Sequence, residues 1–367
     1  MKKELWMGKT YLQQAKTTFF SKLSNHQEPK QGSSEMIKEK EPFDSVNRKK
    51  IKNMAVSYGD TMFAEKKTSK KKSKNKQEQE EIVDLQEAEI ENKRLMDSNL
   101  TRADLENAQL QNTDLKNVMM TDANLIGIML KNVALNRANL TRANLEEAHL
   151  SHINLTNGIL NEANLFHALL YKVKLLNATM QGANLKNATI RKGDLSNSNF
   201  NEAQLQKANI GFSFDNASLK GANLRRTRLH SEDISKNVKF QKADLTKAIF
   251  TGKWENVKLD NAKLQGTIFD RTTLKHIDFS GKDLRKVSFV STNLKEVDFE
   301  GADVSGVDFR FADLGKVKNL DKAKNLDKAK NLELAKNLDK AGLKEKQLNQ
   351  KQLNYIRKMY GSKVLEA

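Results

Sequence analysis

The hydrophobic pattern of this chain has a period of five. From Leu85 to Ile210 every fifth residue is large and apolar: 26 consecutive positions, of which 20 are Leu, 3 Ile, 2 Met and 1 Phe. Two residues before each of these centres the chain usually carries a small residue, most often Ala. The stretch Arg137-Ala138-Asn139-Leu140-Thr141-Arg142-Ala143-Asn144-Leu145 shows the unit: Ala, then Asn or Asp, then Leu, then two variable residues. Neither regular element accounts for it. A strand alternates every two residues and a helix face recurs every 3.6. On an α-helix a step of five advances about 140° net, which would scatter the leucines around the axis. The pattern demands a backbone that turns a corner once per repeat and points both Leu and Ala inward. Coils of such a chain, stacked through backbone hydrogen bonds, form a solenoid stabilised by nearest-neighbour contacts.

These tandem Ala-(Asn/Asp)-Leu-x-x units resemble the repeats of the pentapeptide-repeat family, over roughly Leu85 to Leu314. The resemblance implies an all-β fold: a right-handed quadrilateral β-helix with one pentapeptide per side and four per coil. The centre and the residue two before it face inward, and the other three face out. At about 4.8 Å per stacked coil, 11 to 12 coils would give a rod of roughly 55 Å.

The pattern then slips. The centres run Ile210, Phe214, Leu219, Leu224, Leu229, Ile234, Phe240, Leu245, Phe250, Trp254 or its neighbour, and Leu259. Steps of four and six mark bulges, which in β-structure re-aim side chains. Glu232 and Lys282 fall at inward small-residue slots, where a lone charge is expensive. The six-residue step beside Glu232 predicts a loop that carries it outward; nothing in the sequence accounts for Lys282. Beyond Leu264 the centres alternate Phe and Leu. Four repeats per coil would stack Phe269, Phe289 and Phe309 on one side and Phe279 and Phe299 opposite.

The flanks read differently. Residues 1–23 place Leu5, Leu12, Ala15, Phe19 and Leu23 close to one face of an amphipathic helix. Residues 24–80 are polar, hold both prolines and a lysine run from Lys66 to Lys76, and read as a disordered basic linker. The rod spans 81–314, its start blurred because Lys93 occupies an inward slot. In 315–341 the period becomes six, a looser continuation of the solenoid. In 342–367 the segment Leu343 to Tyr360 reads as a helix with Leu353, Ile356 and Tyr360 on one face, followed by a tail. Such a helix would cap the open end of the stack, which otherwise exposes unpaired backbone.

Composition narrows the chemistry. The 367 residues include no Cys, so there is neither a disulfide framework nor thiol catalysis. There is no 18-residue apolar run and no apolar core to a signal peptide. The expected location is the bacterial cytoplasm, or a host cell reached by secretion without a cleaved signal. The formal net charge of +18 divides into +7 over 1–84, +3 over 85–314 and +8 over 315–367. Basic charge suits nucleic acid or anionic membrane, and here it lies in the flanks. Some members of the family mimic duplex DNA with an acidic rod and bind DNA topoisomerases; a near-neutral rod makes that the weakest binding reading.

No catalytic, cofactor or metal constellation is present: no phosphate loop, nucleophile elbow or ligand spacing. Of six histidines, His149 and His152 flank Leu150 and face outward, as ordinary solvated residues. The stacked acids Asp278 with Asp298 and Asp283 with Asp303 follow from Asp being common before the centre. Two outward features stand out. Ile126, Met129, Phe166, Leu169, Tyr171 and Leu176 are apolar at outward positions, a candidate partner surface. Lys207, Arg226 and Lys247 stack four repeats apart as a basic ridge, with Arg225 and Arg228 near it. The leading reading is a non-enzymatic scaffold whose rigid rod binds a protein partner or a second copy, in the manner of a bacterial secreted effector. The alternative is an adaptor targeted to anionic membrane or nucleic acid through residues 1–80.

Overall fold

The computed structural model describes residues 82–361, which lie within the second of two compact units, residues 49–367. The expected amphipathic segment 1–23 and basic linker 24–80 lie outside the described residues. The described chain is a parallel, four-sided solenoid. One side is a 12-stranded sheet in sequence order, from β1 (Glu89–Glu91) to β12 (Asp313–Lys318). On the other three sides the coils meet at single parallel bridges such as Asn99↔Met119, Asn124↔Asn144 and Asn154↔Lys174.

One pentad shows why this sequence closes into coils. Take Asn139 to Ala143. The Asn139 and Leu140 N–H groups donate to the coils on either side, at Val118 O and Ile159 O; Arg142 N–H donates to Asn161 O. Ala143 N–H closes the corner onto Leu140 O at 3.0 Å. That leaves Thr141 N–H, and the Asn139 side chain accepts it at 3.1 Å. Every donor of the repeat is therefore satisfied, as buried and turn backbone requires. Asn or Asp is needed one residue before the centre because an Asx side chain reaches the N–H two residues on. The same bond recurs at Glu106, Glu146, Thr156, Phe166 and Thr246. The second residue after each centre turns the corner in the left-handed region, as at Asn107, Arg142 and Asn187 with φ of 57°, 56° and 59°. Asn and Gly tolerate that conformation best, and the sequence supplies them often.

Inside, the large centres and the small residues two before them form the core, as expected: Leu140, Ala143 and Leu145 are all buried. At Thr113, Thr227, Thr267 and Thr292, which replace Ala, the hydroxyl bonds the coil before, as Thr227 Oγ1 does to Leu205 O at 2.6 Å. The phenylalanines stack as their spacing predicts. Phe269–Phe289 and Phe289–Phe309 are near-parallel at 5.5 and 5.7 Å, and Phe279–Phe299 stack at 5.7 Å. Lys93 keeps its backbone place in the ladder but its side chain is exposed in the first described coil, where no earlier described coil encloses it. Lys282 behaves similarly. Its backbone holds the Ala column, accepting Asp303 N–H, while its side chain is half-exposed. The ammonium lies close enough to help hold the Asp278 carboxyl below its usual range: burial opposes ionisation there, and Ser280, Lys282 and Lys258 outweigh it.

The register slips fall where expected, with one correction. Ile234 is not an inward centre: it is 41% exposed, and Ser235, at 0%, takes the slot. Ser235 aligns with Trp254, and its hydroxyl accepts Phe214 N–H at 3.2 Å. A serine serves because Ser231 also turns in, and the two hydroxyls bond at 2.8 Å. The bulge between them pushes Glu232 outward, as the six-residue step predicts. Trp254 is the centre of its own repeat, reached in four residues from Phe250, with Nε1 donating to Thr251 O.

The six-residue period gives one larger coil. Leu320, Leu326, Leu332 and Leu338 each open a 3₁₀ turn and are buried. Lys324, Lys330 and Lys336 bridge back to Asp303, Asp308 and Asp313. Asn319, Asn325, Asn331 and Asn337 sit in the left-handed region and donate their amides to Asp298, Asp303, Asp308 and Asp313. The C-terminal helix is shorter than the sequence suggests. Gly342 has φ of 64°, Glu345–Gln347 is a 3₁₀ turn, and α1 spans only Gln350–Tyr360 behind an Asn349 N-cap. Leu343 and Leu348 are spent covering the core before α1 begins. Ile356 is buried, with Leu353 and Tyr360 packed beside it. The cap works through polar side chains as well: Gln352 Nε2 donates to Leu326 O and Ala329 O, and Asn349 to Asp327 O.

Two stability outcomes follow from this architecture. Ala143→Lys buries an unpaired charge between coils and should lower the melting temperature by an amount matching several kcal/mol. Thr141→Lys, at an outward position of the same repeat, should melt close to the parent; equal melting of the two variants would contradict the inward assignment. Gly252, with φ of 87°, lies directly against the Ser231 carbonyl of the bulge, which a methyl group there would strike. Gly252→Ala should cost about 1–3 kcal/mol in chemical denaturation. Gly281→Ala, also at positive φ but facing open space, should cost only about 1 kcal/mol.

Candidate partner-binding strip

The two surface features that the sequence presents separately meet on one edge of the rod. Each coil turns from its fourth side onto the 12-stranded sheet through two residues. In successive coils the first of these are Ile126, Glu146, Phe166, Lys186, Gln206 and Arg225. The second, left-handed residues are Gly127, Glu147, His167, Asn187, Lys207, Arg226 and Lys247. The stacking is direct: Glu147 N–H donates to Phe166 O, His167 to Lys186 O, Lys207 to Arg225 O and Arg226 to Thr246 O. One edge thus carries Ile126 and Phe166, with Glu146 and Glu147 between them, in its first half and cations in its second. From Ile126 to Lys247 it extends six coils, about 29 Å.

The adjoining sheet extends both halves. Met129 on β3 (Met129–Lys131) and Leu169 on β5 (Leu169–Tyr171) border the apolar half. Arg228, on β8 (Arg228–Lys236), borders the basic half. Four of the six apolar candidates therefore belong to one edge; Tyr171 does not, because its ring lies against His152 and Lys172 at the opposite corner of the sheet. Leu176 does not: it turns a corner on the far side of the second face.

None of the six apolar residues is fully exposed. Phe166 packs edge-on against His167 at 4.2 Å. Met129 and Leu169 pair above and below His149 in the sheet. That arrangement overturns the expectation of a solvated His149, which faces outward yet is only 3% exposed. Its larger neighbours enclose it. The other described histidines find ordinary partners: Ser151 for His152, Asn187 for His167, Thr251 for His230. His276 lies between Glu255 and Glu296 of the coils on either side.

The basic half is not uniform. Lys207, Arg226, Arg228 and Lys247 are exposed. Arg225 is committed, with Nη1 3.3 Å from Asp244 Oδ2. Burial works against the Asp244 charge, but Thr246 and Arg225 hold its carboxyl below the usual range. The stacked acids Asp278 with Asp298 and Asp283 with Asp303 are bridged as expected, and each accepts a turn N–H. They are structural groups. Among the described residues no group of three or more His, Asp or Glu is placed to hold a metal ion.

The sequence reading missed a pair of exposed apolar side chains in the strict repeats. Met119 and Ile159, 47% and 38% exposed, share a column on the third side. Their signal was available: each stands in the slot before a centre where Asn or Asp is the rule.

Comparison with known proteins agrees with this geometry. Models of pentapeptide repeats (8 copies) match residues 83–117, 120–157, 148–187, 159–197 and 178–212, and a pentapeptide repeat region model matches 252–321. No curated protein matches the sequence. Among solved structures, QnrB1, a plasmid-mediated fluoroquinolone resistance protein, is 17% identical over 54% of this chain and 90% of its own, with a TM-score of 0.31. HetL, a pentapeptide repeat protein involved in heterocyst differentiation regulation in Nostoc sp. strain PCC 7120, is 24% identical over 67% of this chain and 88% of its own, at 0.20. A pentapeptide repeat protein of the Arabidopsis thaliana thylakoid lumen is 26% identical over 31% of this chain and 65% of its own, also at 0.20. Those TM-scores are too low for any of the three to lend this chain its role. The family models, which together cover more than half the sequence, and the five-residue coil built by Asx-capped corners agree: the chain belongs to the pentapeptide-repeat family.

Proposed function

We propose that the protein is a non-enzymatic scaffold whose rod docks a protein partner along the edge from Ile126 to Lys247. The observation that supports this is the convergence of two feature sets on one corner: Ile126, Met129, Phe166 and Leu169 followed by Lys207, Arg226, Arg228 and Lys247. A partner that fits has an apolar anchor beside an acidic stretch. The apolar part supplies affinity through desolvation, and the cations steer encounter and fix register. The strip is cationic where a DNA mimic needs to be anionic, so the fit is to an acidic partner. The rigid coils hold the strip in its bound geometry before binding, which lowers the ordering cost of association.

Affinity capture with cross-linking on the full chain tests this. Changing Phe166 and Leu169 together to Ser should leave the melting temperature nearly unchanged, since the ladder inside is untouched, and should abolish capture. Changing Lys207, Arg226 and Lys247 together to Glu should weaken capture and remove its dependence on salt. Light scattering identifies the case in which the partner is a second copy. If both variants capture the same proteins as the parent, at the same salt, the strip is not the binding surface.

A further inference from the structure

The opposite edge of the sheet carries a different feature, an open groove of about 600 Å³. It arises because four departures from the repeat fall at one corner. Asn92, Asn112 and Asn132 occupy this corner in the first coils, with Asn132 Nδ2 donating to Asn112 Oδ1 at 3.1 Å. His152, Lys172 and Lys192 then replace the asparagines at the same left-handed position. The inward column beneath them runs Val133, Ile153, Val173 and then Gly193, whose missing side chain leaves a dent in the wall. In the next coil the step from Ile210 to Phe214 drops the corner residue altogether, and the coil after that throws Glu232 out on the bulge to form the far rim.

The groove is cationic. Lys172, Lys174 and Lys192 line it, and among the described residues no carboxylate forms an ion pair with any of the three. Tyr171 stands beside them, its ring centroid 5.7 Å from Lys172 Nζ and 5.9 Å from Lys192 Nζ. His152 meets the same ring edge-on at 5.8 Å. Stacking lysines one coil apart, about 4.8 Å along the rod, is unfavourable unless an anion sits between them. Tyr171 draws both ammonium groups toward its ring, which keeps them close to one another. The acids of the lining are not positioned to neutralise them. Asp194 accepts Ser196 N–H at 2.8 Å, and Glu232 belongs to the rim.

We propose that this groove binds a phosphate-bearing ligand, its phosphate held between Lys172 and Lys192 with Lys174 behind, and its hydroxyl or amine donors turned to Asp194 and Glu232. The chemistry is that of charge-assisted hydrogen bonds from ammonium groups to phosphate oxygens. The site is separate from the partner-binding strip and does not depend on it. The imidazole of His152 reports on it. Burial, Lys172 and Lys131 hold its pKa below the ordinary histidine value in the free protein, with Tyr171, Lys192, Asp194 and Glu232 also near. A phosphate dianion between the lysines offsets their charge, so His152 should titrate at higher pH when the groove is filled.

The test is calorimetric titration of the full chain with inorganic pyrophosphate, with the His152 imidazole followed by NMR. Saturable binding is expected, with the His152 resonance moving and its pKa rising. Lys172→Gln with Lys192→Gln should weaken binding by about tenfold or more, and Lys207→Gln with Lys247→Gln on the other edge should not. Melting curves check that both double variants fold. Vesicles of phosphatidylcholine with and without a phosphoinositide separate a soluble phosphate ester from a lipid headgroup. Binding of the phosphoinositide vesicles alone, dependent on Lys172 and Lys192, assigns the lipid source. The proposal is overturned if neither pyrophosphate nor those vesicles bind, if His152 is unaffected by pyrophosphate that does bind, or if both double variants lose binding equally.

Discussion

The hydrogen bond from an Asn or Asp side chain to the N–H two residues on is what makes a five-residue coil possible. A chain that turns every five residues cannot pair every donor with a neighbouring coil, because the residue just past each centre points its N–H along the corner. Thr141 would leave one such donor unmet in every repeat, and many orphans would sum to a prohibitive cost. Asn139 meets it from within the repeat, so each pentad is self-sufficient at its corner and needs its neighbours only for stacking. The amides then do a second task, passing from coil to coil as Asn164 does to Asn144 and Asn184 to Asn164, at 2.9 and 2.8 Å. The last coil inherits the device in altered form. Four asparagines in the left-handed region reach back to four aspartates of the coil before, which allows the coil to lengthen to six residues per side without losing register.

Irregularity is concentrated where the corners are least defended by this bond. The steps from Ile210 to Phe214, Leu229 to Ser235 and Phe250 to Trp254 all fall on the corner where the sheet meets the second side. There β7 (Asn209–Ser213), β8 and β9 (Ile249–Glu255) run on as longer strands. The shortened coils admit a large ring, so Phe214, Phe250 and Trp254 pack together within about the distance at which aromatic pairs attract, 5.1 and 5.2 Å to the indole. The lengthened coil between them turns two serines inward instead. Down this column a large, a small and a large centre follow one another, Phe214, Ser235 and Trp254, and the groove is the external trace of the same irregularity.

The core was legible in the sequence because a period of five is incompatible with every other element. Even the Phe stacks of the C-terminal half follow from counting four repeats per coil. The miss at Ile234 has a simple cause: counting apolar residues favours Ile over Ser, and the paired hydroxyls of Ser231 and Ser235 that reverse the choice depend on a contact within the bulge. The helix over Leu343–Tyr360 was read too long because Leu343 and Leu348 suit a helix face and a core lid equally well. Outward chemistry was harder still. The sequence shows which residues leave the core but not which corner they turn, so the apolar and basic sets seemed unrelated and Leu176 seemed to belong with Phe166. Burial of His149 lies beyond any single-chain pattern, since it depends on Met129 and Leu169, each one coil away.

The sealed last coil gives the rod a direction. Asn–Asp bonds, a lid of Leu343 and Leu348, and the Gln352 and Asn349 amides of α1 all close one end. At the other end, Leu85 and Leu95 belong to coils with described neighbours on one flank only. In a stack where each layer is held only by the layers beside it, opening is a sequential process like a zipper. Its teeth are pinned at the C-terminal end, so opening there must first break the lid and the Asn–Asp bonds. A ligand clamped between Lys172 and Lys192 would join two neighbouring coils, a bolt partway along the zipper.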